Sequence, residues 1–406
     1  MMDKKIYIEN FFSDLELFGI KLGLTQTIEL FARIGSPEKK LRFIHIAGTN
    51  GKGSTGGMIT AALTKSGFKT AFYSSPHLIN VRERFRINGR AISESELADE
   101  IAFIEPHICE MRRNHVSPTY FEVTTAVAAA YFARNSVDFV IWETGMGGRF
   151  DATNIVTPEL SVITGIALDH TVHLGESIEK IAFEKAGIIK KNRPVFCGEL
   201  PENAKKIITE TAQTTHSECY FYEPDNHHQY AETTYLQKNT ELAEKIIDFL
   251  SVKFNFSRNR ALNGMKKLRW PGRMQILNNH TIIDGAHNSQ AAEALVKSLK
   301  LLYPERKYSI IFASMKDKET IKVLKILARI AEEFIFPEFQ CSRGAVETEK
   351  LKELAESIPG LKLKETSNFR EAFALSGTYT LITGSLYLAG EALKELGYEN
   401  EVLNIL

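Results

Sequence analysis

The sequence predicts an α/β protein in which a domain built on a parallel sheet is followed by a smaller, doubly wound, Rossmann-like domain. Short runs of β-branched and aromatic residues alternate with helical periods from residue 41 onwards, and this alternation is typical of a parallel sheet with helices on both faces. A glycine-rich turn joins a strand to a helix at 47–54, and a Pro-Gly break at 271–272 precedes a second alternating series.

The first series supplies the elements of the larger domain. Its predicted strands are 41–47, 69–75, 137–143 and 160–166, and its predicted helices are 54–67, 121–135, 177–191, 241–250 and 258–268. The helix at 121–135 is apolar on most of its faces, so we expect it to pack on both sides.

The Pro-Gly break indicates a division of the chain. We expect an N-terminal domain over 1–268, a hinge over 269–279 and a C-terminal domain over 280–406. The predicted strands of the C-terminal domain are 280–285, 308–314, 333–338, 360–365 and 379–385. Five strands with helices between them make a doubly wound unit of ordinary domain size.

Composition and charge exclude several classes of partner. The 406 residues are 44% hydrophobic and 25% charged, and Lys plus Arg (50) equals Asp plus Glu (50). No global charge therefore draws the chain to nucleic acid or to an anionic membrane, and no apolar stretch approaches the roughly 20 residues of a membrane span. The four cysteines lie far apart and fit neither a zinc site nor a disulfide framework. We expect a cytoplasmic monomer that binds small molecules.

The segment 47–54, AGTNGKGS, is predicted to bind phosphate. Its glycines let backbone N–H groups turn inwards, Lys52 adds a positive charge, and the following helix presents its N-terminus. An ordinary phosphate loop places Ser or Thr directly after the lysine, whereas here Gly53 separates Lys52 from Ser54. A simple glycine-rich turn is the alternative, and the strand–loop–helix context favours a nucleotide.

Polar side chains follow three of the predicted strands. Ser75 and Glu143 each end a strand, and His170 lies just beyond a third. The carboxyl ends of parallel strands meet at one edge of a sheet, and a bound nucleotide triphosphate needs a divalent cation with oxygen ligands. Together the three side chains indicate a Mg²⁺ site, although each taken alone fits a strand-end residue in contact with water.

Two further segments suggest a substrate site. The glycine-rich segment 145–154 contains Asp151, whose carboxylate could accept two N–H groups from an aminopyrimidine-like edge. Arg82, Arg84 and Arg86 form a basic set suited to an anionic substrate. The alternatives, a glycine-rich turn capped by its Asp and a solvated basic strand, stay open.

In the C-terminal domain, Asp284 and His287 follow a predicted strand, and Arg273 lies in the predicted hinge. These side chains suit the ribose, base and phosphates of a nucleotide. The alternative is that Asp284 caps the helix that begins near Ser289.

Together these segments resemble the folylpolyglutamate synthase and dihydrofolate synthase family, a branch of the Mur ligase superfamily. The matching segments occur in the family's order between residues 41 and 391, and they read HIAGTNGKGST, YSSPHL, RERFRING, TYFE, ETGMGGRFDATN, IALDHT, EKAGII, WPGRMQI, DGAHN and TGSLYLAGE. The family has the same one-residue variation in its phosphate loop. The resemblance implies a P-loop-type ATPase domain followed by a Rossmann-like ligase domain.

The resemblance also implies roles for particular residues. Those expected to contact ATP are Thr49, Asn50, Gly51, Lys52, Gly53, Ser54, Asn239, Arg273, Asp284 and His287. Those expected to contact the folate substrate are Arg82, Phe121, Phe150, Asp151, Ala152 and Thr153. Ser75 and Glu143 are expected to ligate one Mg²⁺ ion, and Glu143 and His170 a second.

Lys185, in the EKAG segment, matches the lysine that carries a carbamate in this superfamily. An ammonium group would repel a nearby Mg²⁺ ion, whereas the CO₂ adduct, N6-carboxylysine, is a long-armed carboxylate. The expected catalytic residues are therefore Lys52, His170 and Lys185.

The activity that the resemblance implies is ATP-dependent amide ligation through an acyl phosphate, with release of ADP and phosphate. L-Glutamate would be joined to dihydropteroate and to the γ-carboxyl of reduced folates, because GGRFDATN resembles the form found in members with both activities. One alternative is folylpolyglutamate synthesis alone. A cell-wall Mur peptide ligase is a second, disfavoured because about 40 residues precede the phosphate loop. A nucleotide-binding regulatory protein without catalysis is a third.

Overall fold

Fully buried apolar runs form the central strands of two sheets, as expected for parallel sheets that are covered on both faces. In this computed structural model, Phe43–Ala47 and Phe139–Glu143 are buried along their whole length in the first sheet, as is Tyr308–Phe312 in the second. The structure describes residues 3–16, 23–222, 234–278, 280–341 and 344–406.

The described residues form two compact units. Unit 1 consists of the residues up to 222 together with 239–269 and 403–406, and unit 2 consists of 234–238 and 270–402. Each unit has a sheet and a hydrophobic core of its own.

Unit 1 is an eight-stranded, mostly parallel sheet with helices, within the residues that the structure describes. Its strands are β1 (Phe43–Ala47), β2 (Thr70–Tyr73), β3 (Phe85–Ile87), β4 (Arg90–Ala91), β5 (Phe139–Glu143), β6 (Leu160–Ile163), β7 (Val195–Cys197) and β8 (Cys219–Phe221). Its helices are α1 (Lys4–Glu16), α2 (Thr25–Arg33), α3 (Lys52–Lys65), α4 (Glu94–Arg113), α5 (Tyr120–Arg134), α6 (Thr171–Leu174), α7 (Ile178–Ala186), α8 (Glu202–Thr214), α9 (Tyr235–Lys253, of which the first four residues belong to unit 2) and α10 (Arg258–Met265). Short 3₁₀ helices occupy Pro37–Lys40, Val81–Arg84 and Ala152–Ile155.

The strand order of unit 1 is β4-β3-β2-β5-β1-β6-β7-β8. Strand β3 pairs antiparallel with both β2 and the edge strand β4, and the other pairings are parallel. Strand β1 lies between β5 and β6, where Ile44 is in register with Ile141 and Leu160. The phosphate-loop segment and the segments after β5 and β6 therefore leave neighbouring strands at the same edge of the sheet.

The helix that was expected to pack on both sides, α5, is buried along most of its length. A reciprocal capping box starts it, in which Thr119 Oγ1 accepts from the backbone N–H of Glu122 and the Glu122 carboxylate accepts from the backbone N–H of Thr119. The Thr27 hydroxyl also donates to Glu122, at 3.1 Å. The prediction for this helix is confirmed.

Unit 2 is the predicted smaller doubly wound unit with one additional edge strand. Its strands are β9 (Gln275–Ile276), β10 (Thr281–Ile283), β11 (Tyr308–Phe312), β12 (Ala331–Pro337), β13 (Lys362–Thr366) and β14 (Thr380–Thr383). Its helices are α11 (Ser289–Leu302), α12 (Thr320–Leu327), α13 (Thr348–Glu356), α14 (Phe369–Ala374), α15 (Leu386–Glu395) and α16 (Glu399–Leu403, whose last residue belongs to unit 1). The order is β13-β12-β11-β14-β10-β9, with β9 antiparallel to β10.

The limits of the two units differ from the predicted domain limits at three places, the first being residues 234–238, which fall in the predicted N-terminal domain but belong to unit 2. Residues 270–278, which were expected to form most of the hinge, belong to unit 2, because β9 pairs with β10. Residues 403–406 belong to unit 1, where Asn404 forms an antiparallel bridge with Arg90. No helix in the described part of the chain has the length and apolar character to cross a membrane.

We predict that Gly264→Ala destabilises unit 1, although alanine is the better helix former by up to about 1 kcal/mol. A Cβ atom at this position of α10 would lie 2.5 Å from the backbone oxygen of Ala61 on α3. Because a backbone oxygen cannot rotate away, we expect a loss of about 1–3 kcal/mol, measured as a lower urea midpoint by circular dichroism. Asn263→Ala, at an exposed position of the same helix, is the control and should be neutral or slightly stabilising. A more stable Gly264→Ala protein would contradict this account of the packing of α3 and α10.

Candidate active site

The phosphate-loop segment connects β1 to α3 at the carboxyl edge of the first sheet. Gly51 precedes the helix with a φ of 88°, a left-handed conformation that favours glycine. Lys52 is the first residue of α3, and its Nζ donates to the backbone oxygen of Gly48 at 3.0 Å. The ammonium group is therefore held over the curled loop, beside the positive end of the helix.

The phosphate loop is fixed by hydrogen bonds to the segment that follows β6. The Thr164 hydroxyl donates to the backbone oxygen of Asn50 at 2.6 Å. The backbone N–H of Thr49 donates to the oxygen of Gly165 at 2.8 Å, and the hydroxyl of Thr49 accepts from the backbone N–H of Ala167 at 3.1 Å. Thr164 was not among the predicted site residues. It lies near the end of a predicted strand, which is the feature that identified Ser75 and Glu143.

Two glycines permit close contacts with the phosphate loop. A Cβ atom at Gly48 would lie 2.0 Å from Thr164 Oγ1, and one at Gly51 would lie 2.8 Å from Asn239 Oδ1. Asn239, which the resemblance assigned to ATP, is thus placed against the loop by helix α9.

The Ser54 hydroxyl lies one turn into α3, is buried, and makes no hydrogen bond within the described residues. A buried hydroxyl without a partner costs free energy, so it usually has a ligand or water to bind. Together with Lys52 and the N-terminus of α3, Ser54 forms a site for an anion with several oxygen atoms, such as a nucleotide phosphate.

Glu143 is the acidic group of this site. It ends β5, is 4% exposed, and has its Oε1 4.0 Å from Lys52 Nζ. The backbone N–H of Ser75 donates to the other carboxylate oxygen, Oε2, at 3.4 Å. The structure therefore brings Lys52 and Ser75 close to Glu143, whereas the strand-end argument grouped Ser75 and Glu143 with His170.

These groups have the chemistry that a Mg²⁺ ion requires, since the ion prefers hard oxygen ligands and commonly keeps phosphate oxygens in its shell. Glu143 supplies a carboxylate and Ser75 a hydroxyl. Among the described residues, no cluster of three or more His, Cys, Asp or Glu side chains forms a metal site made by protein alone. The set therefore fits an ion that is completed by a nucleotide.

His170 begins the short helix α6 in a left-handed conformation, with φ 50°. Its backbone N–H donates to Asp169 Oδ1 at 2.9 Å. The carboxylate of Asp169 acts electrostatically on Lys185. His170 thus follows the segment that Thr49 ties to the phosphate loop.

Lys185, on α7, is the most perturbed basic group of the site. It is 3% exposed. Burial and, to a smaller extent, the charge of Lys52 lower the pKa of Lys185 to about 7, against the opposing charges of Asp169 and Asp151. At neutral pH a large fraction of this amine is therefore uncharged.

The glycine-rich segment after β5 is packed against the helix that carries Lys185. The backbone N–H of Arg149 donates to the oxygen of Glu184 at 2.7 Å. The amide nitrogen of Asn154 donates to the backbone oxygens of Arg149, at 2.9 Å, and of Gly187, at 3.0 Å. These bonds fix the end of α7 relative to the segment that follows Glu143.

The Asp151 carboxylate is buried and accepts hydrogen bonds from its own loop. Its Oδ2 accepts from the backbone N–H of Met146 at 2.9 Å, and its Oδ1 accepts from the N–H and the hydroxyl of Thr153 at 3.0 and 2.5 Å. Burial raises the pKa of Asp151, and these donors oppose the rise. The Thr153 hydroxyl gives its single proton to Asp151, so in its contact with His45 Nε2, at 2.9 Å, this hydroxyl is the acceptor. Burial lowers the pKa of His45 to about 3.

Among the residues assigned to the folate substrate, three remain accessible and three are buried. Arg82 and Phe121 are partly exposed and Phe150 is 39% exposed, whereas the buried ones are Asp151, Ala152 and Thr153. Direct contact of the buried side chains with a substrate stays a prediction. In this structure Asp151 and Thr153 shape the loop.

The three arginines of RERFRING also separate into two groups. Arg84 is buried over the ring of Tyr120, with its Nε donating to His77 Nδ1 at 3.0 Å. Arg86 is buried, and its Nη1 donates to the backbone oxygen of Leu403 at 3.0 Å. Arg82 is therefore the member of the set that stays partly exposed, and its contact with an anionic substrate remains a prediction.

In unit 2, Asp284 organises the segment at the end of β10. Its Oδ2 accepts from the Tyr235 hydroxyl, at 2.5 Å, and from the backbone N–H of Met274, at 2.8 Å, and its Oδ1 accepts from the N–H of Ala286, at 2.8 Å. The alternative in which Asp284 caps α11 is wrong, because the cap of that helix is Asn288. No sequence pattern identified Tyr235, because its contact with Asp284 joins residues 49 positions apart in the chain.

The two other residues expected to contact nucleotide lie near Asp284. The Arg273 charge acts on the buried Asp284, and Arg273 Nη1 donates to the backbone oxygen of Gly272 at 3.1 Å. His287 Nδ1 lies 2.8 Å from the backbone oxygen of Gly285. A carbonyl accepts only, so Nδ1 carries the proton in this contact.

Comparison with known proteins identifies related chains over nearly the whole length. Residues 46–279 match the Mur ligase middle domain, and residues 272–386 match the glutamate ligase domain of Mur ligases. The chain is 34% identical to the dihydrofolate synthase/folylpolyglutamate synthase of Bacillus subtilis, over 93% of this chain and 96% of that protein.

Solved structures give the same result. The folylpolyglutamate synthase of Mycobacterium tuberculosis complexed with ADP has a TM-score of 0.89 and 26% identity, over 97% of this chain and 98% of that one. The bifunctional folylpolyglutamate synthase/dihydrofolate synthase of Yersinia pestis, complexed with AMPPNP and a Mn ion, has a TM-score of 0.83 and 28% identity, over 97% and 98% of the two chains.

We predict that Lys185→Met raises stability at neutral pH. The pKa of Lys185 is about 7 in the folded protein against 10.5 for an ordinary lysine, so between these values the unfolded chain binds a proton that the folded chain lacks. The free energy of unfolding of the unsubstituted protein therefore rises with pH from 7 to 10.5, and below pH 7 a penalty on the order of a few kcal/mol persists. Methionine removes this penalty.

The measurement is the urea midpoint of both proteins at pH 7 and pH 9, in CO₂-free buffer so that the amine stays unmodified. The stability advantage of Lys185→Met should shrink at pH 9. Lys180→Met, at an exposed position of the same helix, should show no such change. An advantage for Lys185→Met that is equal at both pH values would show that the charge of Lys185 is not the cause.

Proposed function

We propose, from the premise that this chain belongs to the Mur ligase family and to its dihydrofolate synthase/folylpolyglutamate synthase branch, that it adds L-glutamate both to dihydropteroate and to the γ-carboxyl of reduced folates. The resemblance that the motifs predicted is confirmed. Members of this branch are ATP-dependent ligases. The structural observation that carries the proposal is the grouping of Lys52, Ser75 and Glu143 at the strand ends beside the unsatisfied Ser54 hydroxyl.

The ATP phosphates would lie on the phosphate loop. The N-terminus of α3, the Lys52 ammonium and the Ser54 hydroxyl all favour negative oxygen atoms there. Asn239, which α9 carries beside Gly51, would contact the nucleotide there. Arg273, Asp284 and His287 stay candidate nucleotide contacts, as the resemblance implies, and Asp284 would act mainly through the backbone that it holds.

Magnesium would be held by Ser75 and Glu143, with a second ion reached by Glu143 and His170. A bound ion supplies positive charge against the transferring phosphoryl group. The donor set of the structure fits this ion, and the related Yersinia pestis enzyme was solved with a Mn ion and AMPPNP. That two magnesium ions bind is part of this proposal.

The reaction would proceed in two displacements. A carboxylate oxygen of the folate substrate attacks the γ-phosphorus of ATP, and the bond to the β,γ-bridging oxygen breaks to release ADP. The amine nitrogen of glutamate then attacks the acyl carbon, phosphate leaves, and the amine loses its proton. Lys52 stabilises charge on the transferring group, and His170 is the candidate acceptor of the amine's proton.

Lys185 would react with CO₂ to give N6-carboxylysine. The amine lone pair attacks the carbon of CO₂ and one proton is released, so the reaction requires an uncharged amine. A pKa of about 7 provides it at neutral pH. Because Lys52 lies close enough to lower that pKa, the conversion also replaces a repulsive pair of cations by an attractive pair of opposite charges.

The folate substrate would lie against the exposed aromatic groups. Phe121 packs on Gly145, and Phe150 is covered on one face by the Arg149 guanidinium at 4.6 Å. Aromatic rings of this kind suit the flat pterin and benzoyl groups, and Arg82 suits a glutamate carboxylate. Both activities would use this surface, with folylpolyglutamate synthesis alone as the second candidate.

We also propose a cytoplasmic location and a monomeric state. ATP and reduced folates are substrates of the cytoplasm, and the cysteines of the chain are free in the structure. Balanced charge gives no reason to expect nucleic acid as a partner.

The test of function is ADP release by the purified protein with Mg·ATP. We expect release that requires L-glutamate together with either dihydropteroate or tetrahydrofolate, because the acyl phosphate forms on their carboxylates. Lys52→Ala should lower kcat by about a hundredfold or more, and Lys65→Ala, exposed at the other end of α3, is the matched control.

Each departure from this result has a definite meaning. Turnover with tetrahydrofolate and none with dihydropteroate would leave folylpolyglutamate synthesis alone. Turnover with a uridine-linked muropeptide would identify a cell-wall ligase, and ATP binding without turnover would identify a binding protein.

The carbamate has a test of its own. Lys185→Ala should lower kcat about a hundredfold or more, and added acetate should restore part of the rate by supplying the missing carboxylate. The unsubstituted enzyme should lose activity in CO₂-free buffer and regain it with bicarbonate. Lys191→Ala, at an exposed position beyond α7, should respond to neither treatment. An unchanged kcat in Lys185→Ala would remove the carbamate from the mechanism.

A further inference from the structure

The segment between β2 and β3 forms a loop that carries two residues of the proposed site. The backbone N–H of Ser74 donates to the oxygen of Arg84 at 3.3 Å and closes the base of this loop. Ser75 lies at its start and Arg82 near its end. We call residues 75–83 the serine loop.

A buried carboxylate occupies the interior of the serine loop. Glu83 is 4% exposed. Its Oε1 accepts from the backbone N–H groups of Ile79, at 2.7 Å, and Asn80, at 2.6 Å, and its Oε2 accepts from that of Leu78, at 2.9 Å. Hydrogen bonds to an ionised acceptor are stronger than neutral ones, so one side chain fixes the middle of the loop.

The far side of the serine loop is fixed from the same turn. Asn80 Oδ1 accepts from the backbone N–H of Arg82 at 3.0 Å, so Glu83 and Asn80 form a reciprocal capping box around the 3₁₀ helix Val81–Arg84. The backbone at Arg82 therefore depends on Asn80, and Asn80 depends on Glu83.

The positive charge of the buried Arg86 balances the negative charge of Glu83. Burial raises the pKa of Glu83, and the Arg86 charge and the backbone donors oppose that rise. Arg86 is itself buried and donates to the Leu403 oxygen. Glu83 and Arg86, the acid and the last arginine of the motif RERFRING, thus make their contacts inside the protein.

We propose that Glu83 is a positioning residue, which sets the Ser75 hydroxyl and the Arg82 guanidinium by holding the serine loop in one conformation. The inference rests on the proposed function, in which Ser75 ligates magnesium and Arg82 meets the substrate. Ser75 already contacts Glu143 through its backbone N–H. A change in the loop would therefore alter the metal site and the substrate site together.

The experiment compares Glu83→Gln with Glu83→Ala and with a matched buried acid. In Glu83→Gln the amide oxygen can still accept from Ile79 and Asn80, but its NH₂ group then faces the N–H of Leu78, donor against donor. Glu100→Gln is the control, because Glu100 is 2% exposed on α4, is paired with Arg134 at 2.7 Å, and belongs to no part of the proposed site. Ser75→Ala serves as the reference for loss of the metal ligand.

The readouts are kcat, the KM for tetrahydrofolate and the Mg²⁺ concentration at half-maximal rate. For Glu83→Gln we expect about a tenfold loss of kcat/KM and a several-fold rise in the Mg²⁺ requirement, in the direction of Ser75→Ala, with a larger loss in Glu83→Ala. Glu100→Gln should change thermal stability and leave the Mg²⁺ requirement within about twofold. A folded Glu83→Gln protein with the Mg²⁺ requirement and KM of the unsubstituted enzyme would overturn the inference.

Hydrogen exchange of the unsubstituted protein gives a second test that needs neither substrate nor a variant. The amides of Leu78, Ile79 and Asn80 should exchange at least about tenfold more slowly than those of an open loop, because Glu83 accepts from each of them. Unprotected amides would overturn the inference even if the variants failed to fold. If the unsubstituted protein showed no ligation, the proposed function would fail, and the exchange rates would still decide whether Glu83 holds the loop.

Discussion

The site depends on one electrostatic constraint, the close approach of two lysines, the partly buried Lys52 and the buried Lys185, at the edge of a parallel sheet. Lys52 is held by the curl of the phosphate loop beside the positive end of α3, and its charge is felt by the buried amine of Lys185. Glu143, 4.0 Å from Lys52, offsets part of this charge. The remaining excess favours anions, and it also favours the uncharged form of Lys185. The proposed binding of a triphosphate and the proposed reaction of Lys185 with CO₂ would thus have the same electrostatic origin.

Three loops of the protein share a single structural device, a buried acid that accepts hydrogen bonds from nearby backbone N–H groups. Glu83 holds the serine loop, Asp151 holds the segment after β5, and Asp284 holds the segments beside β10 in unit 2. A carboxylate can accept several such bonds at once, so a few side chains can define loops that regular secondary structure does not support. The acids of these segments therefore fall into two groups. Glu143, which ends β5, lies beside Lys52, whereas Glu83, Asp151 and Asp284 face inwards and accept hydrogen bonds from nearby backbone N–H groups.

Much of the fold was predictable because buried strands and helices have characteristic patterns of apolar residues in the sequence. The central strands read as unbroken apolar runs, and α5 reads as a helix with apolar residues on most faces. Strands β3, β4 and β9 are two or three residues long, which is too short to show a pattern of apolar residues. The strand-end rule located Ser75 and Glu143. It gave no indication of Asn239 beside Gly51 or Tyr235 beside Asp284, because those contacts join distant parts of the chain.

The inward-facing acids change how the motif GGRFDATN should be interpreted. As a sequence, the motif places a carboxylate where a pterin edge could meet it, and so suggests direct recognition by Asp151. In the structure that carboxylate accepts from Met146 and Thr153, and Thr153 in turn accepts from His45. A substitution at Asp151 would therefore change the backbone that a ligand meets as well as any direct contact. The loop is thus held by a hydrogen-bonded network that reaches, through His45, into β1, the strand that also leads to the phosphate loop.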